Sequence, residues 1–248
     1  MTYSCAIFSR GAQTLEAAQE EKLDLVCRKL ELSEGDRVLD VGSGWGSFGI
    51  HAAQRYGARV VGITLSEPQA ILAGKRAAEA GVSDKVEFRV MDYRDLAGER
   101  FDAIASIGMV EHVGEERIDL YARRLSELLR PGGRLLNHGI SRLRHSDPPA
   151  GDFSERYVFP DGETLHLSRV QLALERAGFE TEHVEGFRED YAETLRHWIE
   201  RLDQHLPRAE QLAGGERLRV WRLYLRAARN GFLTRHISVY QVKCLLPE

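Results

Sequence analysis

Apolar positions along this chain switch between a helical and a strand-like period, and the switches divide it into alternating elements. Leu15, Ala18, Leu23, Val26 and Leu30 keep roughly helical spacing behind Thr14, a fair N-cap, which predicts a helix over 14–32. The run Arg37–Val41 reads as a first strand, followed by a helix over Ser47–Tyr56 that Gly57 ends. Arg59–Thr64 is a second strand, and Pro68 suits the first turn of a helix that reaches about Ala80 and closes at Gly81. Residues 85–91 and Phe101–Ile107 read as the third and fourth strands. A helix over 115–130 is stopped by Pro131-Gly132-Gly133, and a fifth strand follows at 134–140. Beyond a Pro-, Gly- and Asp-rich stretch at 141–163, long enough to suggest a functional cover, come a helix over 166–177 and a strand over 179–185. Helices near 190–206 and 216–230 and a strand Ile237–Leu245 complete the pattern.

Strands alternating with helices from 37 to 140 imply a parallel sheet with right-handed crossovers, whose carboxyl ends form the ligand crevice. With 248 residues and 43% apolar content, one large α/β domain is the expectation. It divides into an N-terminal helical segment (1–36), a cofactor-binding core (37–140), a substrate-covering loop and helices (141–236) and a final strand (237–248). A net charge of −4 gives no nucleic-acid footprint. No apolar run approaches the roughly 18 residues of a membrane span. Glu16, Glu20, Glu21 and Asp24 argue against a signal segment. Cys5, Cys27 and Cys244 form no C-x-x-C pair, which supports neither a disulfide framework nor a metal site. A reduced, cytoplasmic protein is expected. Nothing in the pattern speaks to an oligomeric state.

The candidate chemistry begins at Asp40-Val41-Gly42-Ser43-Gly44-Trp45-Gly46, a strand end running through alternating glycines into a helix. Glycines there let backbone N–H groups approach an adenosine-containing cofactor. Gly44-Trp45-Gly46-Ser47-Phe48-Gly49 formally satisfies a dinucleotide fingerprint. That fingerprint expects an acid at the end of the second strand. Here the strand ends Gly62-Ile63-Thr64 and the first carboxylate is Glu67, past the turn, so NAD fits poorly. Asp40-x-Gly42-x-Gly44-x-Gly46 instead resembles the first S-adenosylmethionine motif of methyltransferases, and Asp92 falls at the end of the third strand, where such enzymes contact adenosine. Alone, Asp40 could merely cap the turn, and Asp92 with Asp95 could be a solvated loop.

A more specific resemblance covers nearly the whole chain. Tyr3-Ser4-Cys5-Ala6, the turn at 40–46, Val60-Val61-Gly62-Ile63-Thr64-Leu65-Ser66 with Gln69, and Asp92-Tyr93-Arg94-Asp95-Leu96 carry its first half. Ser106-Ile107-Gly108-Met109-Val110-Glu111-His112-Val113-Gly114, His138-Gly139-Ile140, Tyr191, Thr194-Leu195, Trp198, Trp221-Arg222-Leu223-Tyr224-Leu225 and Val239-Tyr240-Gln241 carry the second. In these the chain resembles the cyclopropane fatty acid and mycolic acid cyclopropane synthases. The resemblance implies a Rossmann-like class I methyltransferase fold, α/β, with a mostly parallel sheet, helices on both faces and an antiparallel C-terminal strand. It implies S-adenosylmethionine as co-substrate and an unsaturated phospholipid or other acyl lipid as acceptor. The double bond would take the sulfonium methyl, and loss of a proton from the resulting cation would give a cyclopropane; a methylated chain is the other product type. The base would be a bound bicarbonate ion. Cys5 and Ile140 would lend it backbone groups, and Glu111, His138 and Tyr191 would hydrogen-bond it. Tyr3 and Ser4 would lie near the methionine end of the cofactor, with Asp40, Gly42 and Gly44 under it, Thr64 and Gln69 near the ribose, and Asp92 and Tyr93 near the adenine. Taken singly, His138 reads as a core histidine, Tyr191 as an amphipathic packing residue and Cys5 as a small buried filler.

Departures from the pattern are Ser43 where relatives carry Cys, Ser47 where they carry Gly, and Gly139 where Thr is common, a change expected to loosen that strand end. Relatives also carry helices before the Tyr-Ser-Cys segment, so a chain starting at Met1 is expected to be shortened and its site more open. Residues 216–236 hold six arginines and one acid. Arg219, Arg222, Arg226 and Arg229 share a helical face beside Leu218, Trp221 and Leu225, which either rests on an anionic membrane surface, peripherally at its inner face, or is the solvated side of a packed helix. Two other readings compete: an amine N-methyltransferase of the same fold, and an inactive lipid- or cofactor-binding paralogue.

Overall fold

Strand β1 (Arg37–Val41) alternates its side chains between two cores, and the rest of the molecule is arranged around that alternation. In a computed structural model describing residues 1–144, 152–160 and 162–248, the further strands are β2 (Arg59–Thr64), β3 (Val86–Val90), β4 (Phe101–Ile107), β5 (Leu129–Arg142), β6 (Glu180–Gly186) and β7 (Ile237–Leu245). They form one sheet in the order β3-β2-β1-β4-β5-β7-β6. β1 to β5 pair in parallel, and β7 runs antiparallel between β5 and β6. This is the class I methyltransferase architecture.

Val38 faces helices α1 (Leu15–Lys29) and α2 (Ser47–Tyr56), while α3 (Glu67–Glu79) contributes Ala77 to the same core. Leu39 and Val41 face the other side, packing with α4 (Ile118–Leu128) and α6 (Leu167–Arg176). A third cluster joins Cys5 and Ile7 to α7 (Arg188–Gln204), α9 (Gly215–Leu233) and β7, through Leu195, Leu225, Phe232 and Val239. Thr14 caps α1 as expected, its hydroxyl accepting from Ala17 N at 3.2 Å.

Three expected elements come out differently. The helix expected over 115–130 starts only at Ile118 as α4, behind a 3₁₀ turn at Val110–His112 and a left-handed Gly114. It ends at Leu128 because Leu129 is already extended (φ −86°, ψ 151°) and pairs with Phe101, so β5 starts ahead of Pro131. The helix expected near 190–206 ends at Gln204; His205 leaves helical geometry, and Pro207 sits in the first turn of a separate α8 (Leu206–Ala213). The stretch 141–163 is not loop throughout: it holds the tail of β5 and α5 (Asp152–Tyr157), while 145–151 and 161 lie outside the described residues.

Candidate active site

The N-terminal segment Tyr3-Ser4-Cys5-Ala6-Ile7-Phe8-Ser9 is a strap held between α1 and α7. On the α1 side, Ile7 N donates to Ala18 O at 2.9 Å, Gln19 Nε2 to Ser4 O at 2.9 Å and Lys22 Nζ to Ser4 Oγ at 2.8 Å. On the α7 side, Thr194 Oγ1 accepts from Ala6 N at 3.0 Å, and Asp190 Oδ1 accepts from Phe8 N and Ser9 N at 2.6 and 2.7 Å. The Cys5 thiol, fully buried, donates to Ala6 O at 3.2 Å, and burial pushes its pKa up, so it stays protonated.

Under the strap lies a cavity of about 640 Å³. Cys5, Glu111, His138, Ile140 and Tyr191 all line it, with Tyr3 and Ser4, so the five residues of the expected anion cradle meet in one space. Aromatic rings form much of the wall: Tyr3 stacks on Trp198 at 4.9 Å, Tyr191 packs on Phe232 at 4.6 Å, and Phe159 meets Tyr224 edge-on at 5.5 Å.

Glu111 sits on the 3₁₀ turn, just past the left-handed Gly108 that ends β4. Its Oε1 accepts from Ile140 N at 2.7 Å, whereas Oε2 is buried without a partner among the described residues. Burial pushes its carboxyl up to about 7. His138 lies opposite Ile107 on β4 and Gln241 on β7. Its Nδ1 lies 3.2 Å from Gln241 Nε2, Nε2 is buried and unpartnered among the described residues, and burial pushes its pKa down to about 3, so the ring is neutral. One detail differs from the expected cradle: the Ile140 amide is spent on Glu111 and meets an anion only through that carboxylate. The Cys5 thiol is turned toward backbone carbonyls, which leaves its backbone groups as what it would lend.

The cofactor candidates lie along the adjoining sheet edge. Asp40 is buried, accepts a backbone bond from Gly49, and is pushed up to about 7; its Oδ2 and the Ser43 hydroxyl have no partners among the described residues. A Cβ at Gly44 would meet nothing within 4 Å, one at Gly42 would touch the Met109 side chain at 3.4 Å, and one at Gly46 would lie 2.5 Å from the Phe88 ring. Gly46 is therefore glycine for packing, whereas the open face at Gly44 leaves room for a ligand. Thr64 Oγ1 donates to Gln69 Oε1 at 2.7 Å, and Arg94 holds Asp92 through two bonds (2.9 and 2.6 Å) that keep its carboxyl below the usual range. Tyr93 is buried edge-on against Tyr121 at 5.6 Å. Of the cofactor candidates, Tyr3 and Ser4 line the cavity, whereas Asp40, Gly42, Gly44, Thr64, Gln69, Asp92 and Tyr93 do not.

The single-residue patterns missed Lys22 and Gln19, both buried although polar. The available signal was position, since Lys22 continues the apolar stripe of Leu15 and Ala18 along α1. Gly139 does not loosen its strand: its space is filled by Val110, whose Cγ1 would lie 2.2 Å from a Cβ there, and β5 continues to Arg142. The arginine face of α9 is partly neutralised, because Asp203 of α7 pairs with Arg222 at 3.4 Å and Arg226 at 2.5 Å. Among the described residues no helix is long and apolar enough to cross a membrane.

The family model described as mycolic acid cyclopropane synthetase matches residues 1–242. A probable fatty acid methyltransferase of Pseudomonas putida is 44% identical over 252 residues, covering 100% of this chain and 64% of that protein. The cyclopropane-fatty-acyl-phospholipid synthase of Escherichia coli (strain K12) is 35% identical over 242 residues, covering 98% of this chain and 61% of that one. The chain thus spans about three fifths of the length of these two relatives. Among solved structures, the mycolic acid cyclopropane synthase CmaA1 complexed with SAH and CTAB superposes with a TM-score of 0.93 at 31% identity, over 98% of this chain and 90% of that one.

Proposed function

The chain belongs to the mycolic acid cyclopropane synthetase family, and from that premise we propose that it transfers a methyl group from S-adenosylmethionine to the double bond of an unsaturated acyl chain in a lipid. The product is a cyclopropane or a methylated chain. The observation that carries this reading is the cavity, in which Glu111 Oε2 and His138 Nε2 stand unpartnered beside Cys5, Ile140 and Tyr191 within a largely aromatic and aliphatic wall.

An isolated double bond is a weak nucleophile, so the reaction needs a strong electrophile and a dry site. S-adenosylmethionine, when bound, supplies the electrophilic sulfonium methyl. Tyr3, Ser4, Asp40, Gly42 and Gly44 would hold its methionine end, Thr64 and Gln69 the ribose, and Asp92 and Tyr93 the adenine. The aromatic rings that line the cavity favour positive charge developing on the acyl chain. Glu111, His138 and Tyr191 would hold a bicarbonate ion, which supplies the base for ring closure. A carboxyl pushed up to about 7 suits that place, because the protonated form of Glu111 donates to an anion where the ionised form repels it. Neutral His138 can donate from Nε2, since Gln241 occupies Nδ1.

We place the enzyme in the cytoplasm, working peripherally at the inner membrane face. Leu212 on α8 and Leu223 on α9 are exposed, and Arg217 and Arg219 lie on the same helical pair, a composition suited to an anionic surface. The test is incubation with methyl-labelled S-adenosylmethionine and mono-unsaturated phospholipid vesicles, with and without bicarbonate. Label incorporated into the acyl chains, faster with bicarbonate, is the expected result. Label entering a panel of amines and none entering lipid overturns the reading.

A further inference from the structure

Lys22 is 1% exposed and makes no ion pair among the described residues; its one hydrogen bond is the 2.8 Å donation to Ser4 Oγ. Removing an ammonium from water for a single acceptor is costly unless a counter-charge arrives. The charged or ionisable groups facing it are Asp40, Cys5 and His138. Cys5 and His138 are held neutral, as set out above, and Asp40 is beyond ion-pair distance. Burial lowers Lys22 to about 8 and raises Asp40 to about 7, each against its own charged form.

The direction of the bond to Ser4 adds a second observation. A lysine ammonium only donates, so Ser4 Oγ must accept, and its own hydrogen is left for another partner. No described residue takes it, and Ser4 lines the cavity. A hydroxyl polarised from behind by an ammonium is a donor suited to an anionic oxygen. Gln19 holds Ser4 O through its amide nitrogen but lines a separate cavity, which leaves the Ser4 hydroxyl as the polarised donor on this wall. A donor backed by positive charge matches the carboxylate at the amino-acid end of a methionine-derived cofactor.

We propose that Lys22 is a positioning residue which, through the Ser4 hydroxyl, orients and charge-balances the α-carboxylate of S-adenosylmethionine. This rests on the cofactor reading above and adds to it how the amino-acid end is recognised.

Two ligands separate this role from a merely structural one. S-adenosylhomocysteine carries the amino-acid end; 5′-methylthioadenosine has the same nucleoside and thioether without it. Calorimetric titration of the whole chain is expected to show Lys22→Met weakening S-adenosylhomocysteine by about tenfold to a hundredfold while 5′-methylthioadenosine stays within about threefold. Ser4→Ala, which keeps the lysine, is expected to repeat the split and carries the test if Lys22→Met does not fold. Equal weakening of both ligands overturns the inference, since it reports a distorted turn rather than a lost contact. So does a native chain that binds both ligands equally tightly, although the adenosine site then stands. A native chain that binds neither overturns the cofactor reading and this inference with it.

Discussion

The glycine turn at 40–46 and the cavity under the N-terminal strap are built on opposite terms. Where the turn enters α2 there is no room to spare: a Cβ on Gly46 would lie 2.5 Å from the Phe88 ring, as one on Gly62 of the neighbouring β2 would at 2.6 Å, and only the face at Gly44 is open. The cavity encloses about 640 Å³ and leaves Glu111 Oε2 and His138 Nε2 without partners among the described residues. The turn comes from β1, the start of α2 and the neighbouring β2 and β3. The cavity is assembled from the strap, the 3₁₀ turn, β5, β7, α7 and α9. A cofactor that is the same at every turnover is served by a sterically fixed holder. A reaction that must move a proton beside a developing cation needs space and unsatisfied polar atoms. Stability and chemistry should therefore respond to different substitutions in the two regions.

The largest effect is expected in the cavity. Glu111→Gln should lower turnover on mono-unsaturated phospholipid vesicles by roughly a hundredfold to ten-thousandfold while S-adenosylhomocysteine titration is nearly unchanged. A loss of cofactor affinity as large as the loss of turnover would erase the distinction between the regions. At the turn, Gly46→Ala should cost about 2–4 kcal/mol in urea unfolding, combining overpacking against Phe88 with a left-handed backbone. Gly44→Ala sharpens the contrast. Its Cβ meets nothing within 4 Å, so beyond about 1 kcal/mol of backbone strain its effect should appear in cofactor binding.

How much of this was legible follows the same division. Arg37–Val41, Ser47–Tyr56, Arg59–Thr64, Phe101–Ile107 and Ile237–Leu245 could be read to the residue, because apolar period and glycine punctuation are local signals. The start of β5 could not, because Leu129 is a strand residue only through its partner Phe101. The cavity residues were reached through a family resemblance. By pattern alone His138 is a core histidine, and what sets it apart is Gln241, a neighbour across the sheet and 103 positions away. Lys22 escaped notice because a lysine on an apolar stripe means something only once Ser4 is known to lie above it.

Gly139 tests whether the cavity obeys the turn's rule at one point. It precedes Ile140, the donor to Glu111, and its missing side chain is replaced by Val110 from the same 3₁₀ turn as Glu111. Gly139→Ala should cost about 1–3 kcal/mol, because the new Cβ displaces Val110. Val110→Ala in the same chain should recover part of that loss, giving a measurable coupling in a double-mutant cycle. Additive costs would mean that the two positions do not share the space.

The smallest effect separates the two cavity groups by pH. Glu111 is raised to about 7 from an ordinary value near 4.5, so the unfolded chain loses this proton first as pH rises. The native state therefore loses stability between about 4.5 and 7 and holds a constant deficit above that. His138 is lowered to about 3 from 6.5, so the unfolded chain gains this proton first on acidification, and stability is lost as pH falls from 6.5 toward 3. Glu111→Gln should therefore gain on the parent chain as pH rises through its window, and His138→Gln should gain as pH falls through the other, each by roughly 1–2 kcal/mol after screening by water in the cavity. Asp40, also raised to about 7, is common to parent and variants and cancels in each difference. Urea unfolding across that pH range provides the measurement. Parallel curves for Glu111→Gln and the parent would mean that this carboxyl is solvated, and the cavity would then be no drier than the surface beside it.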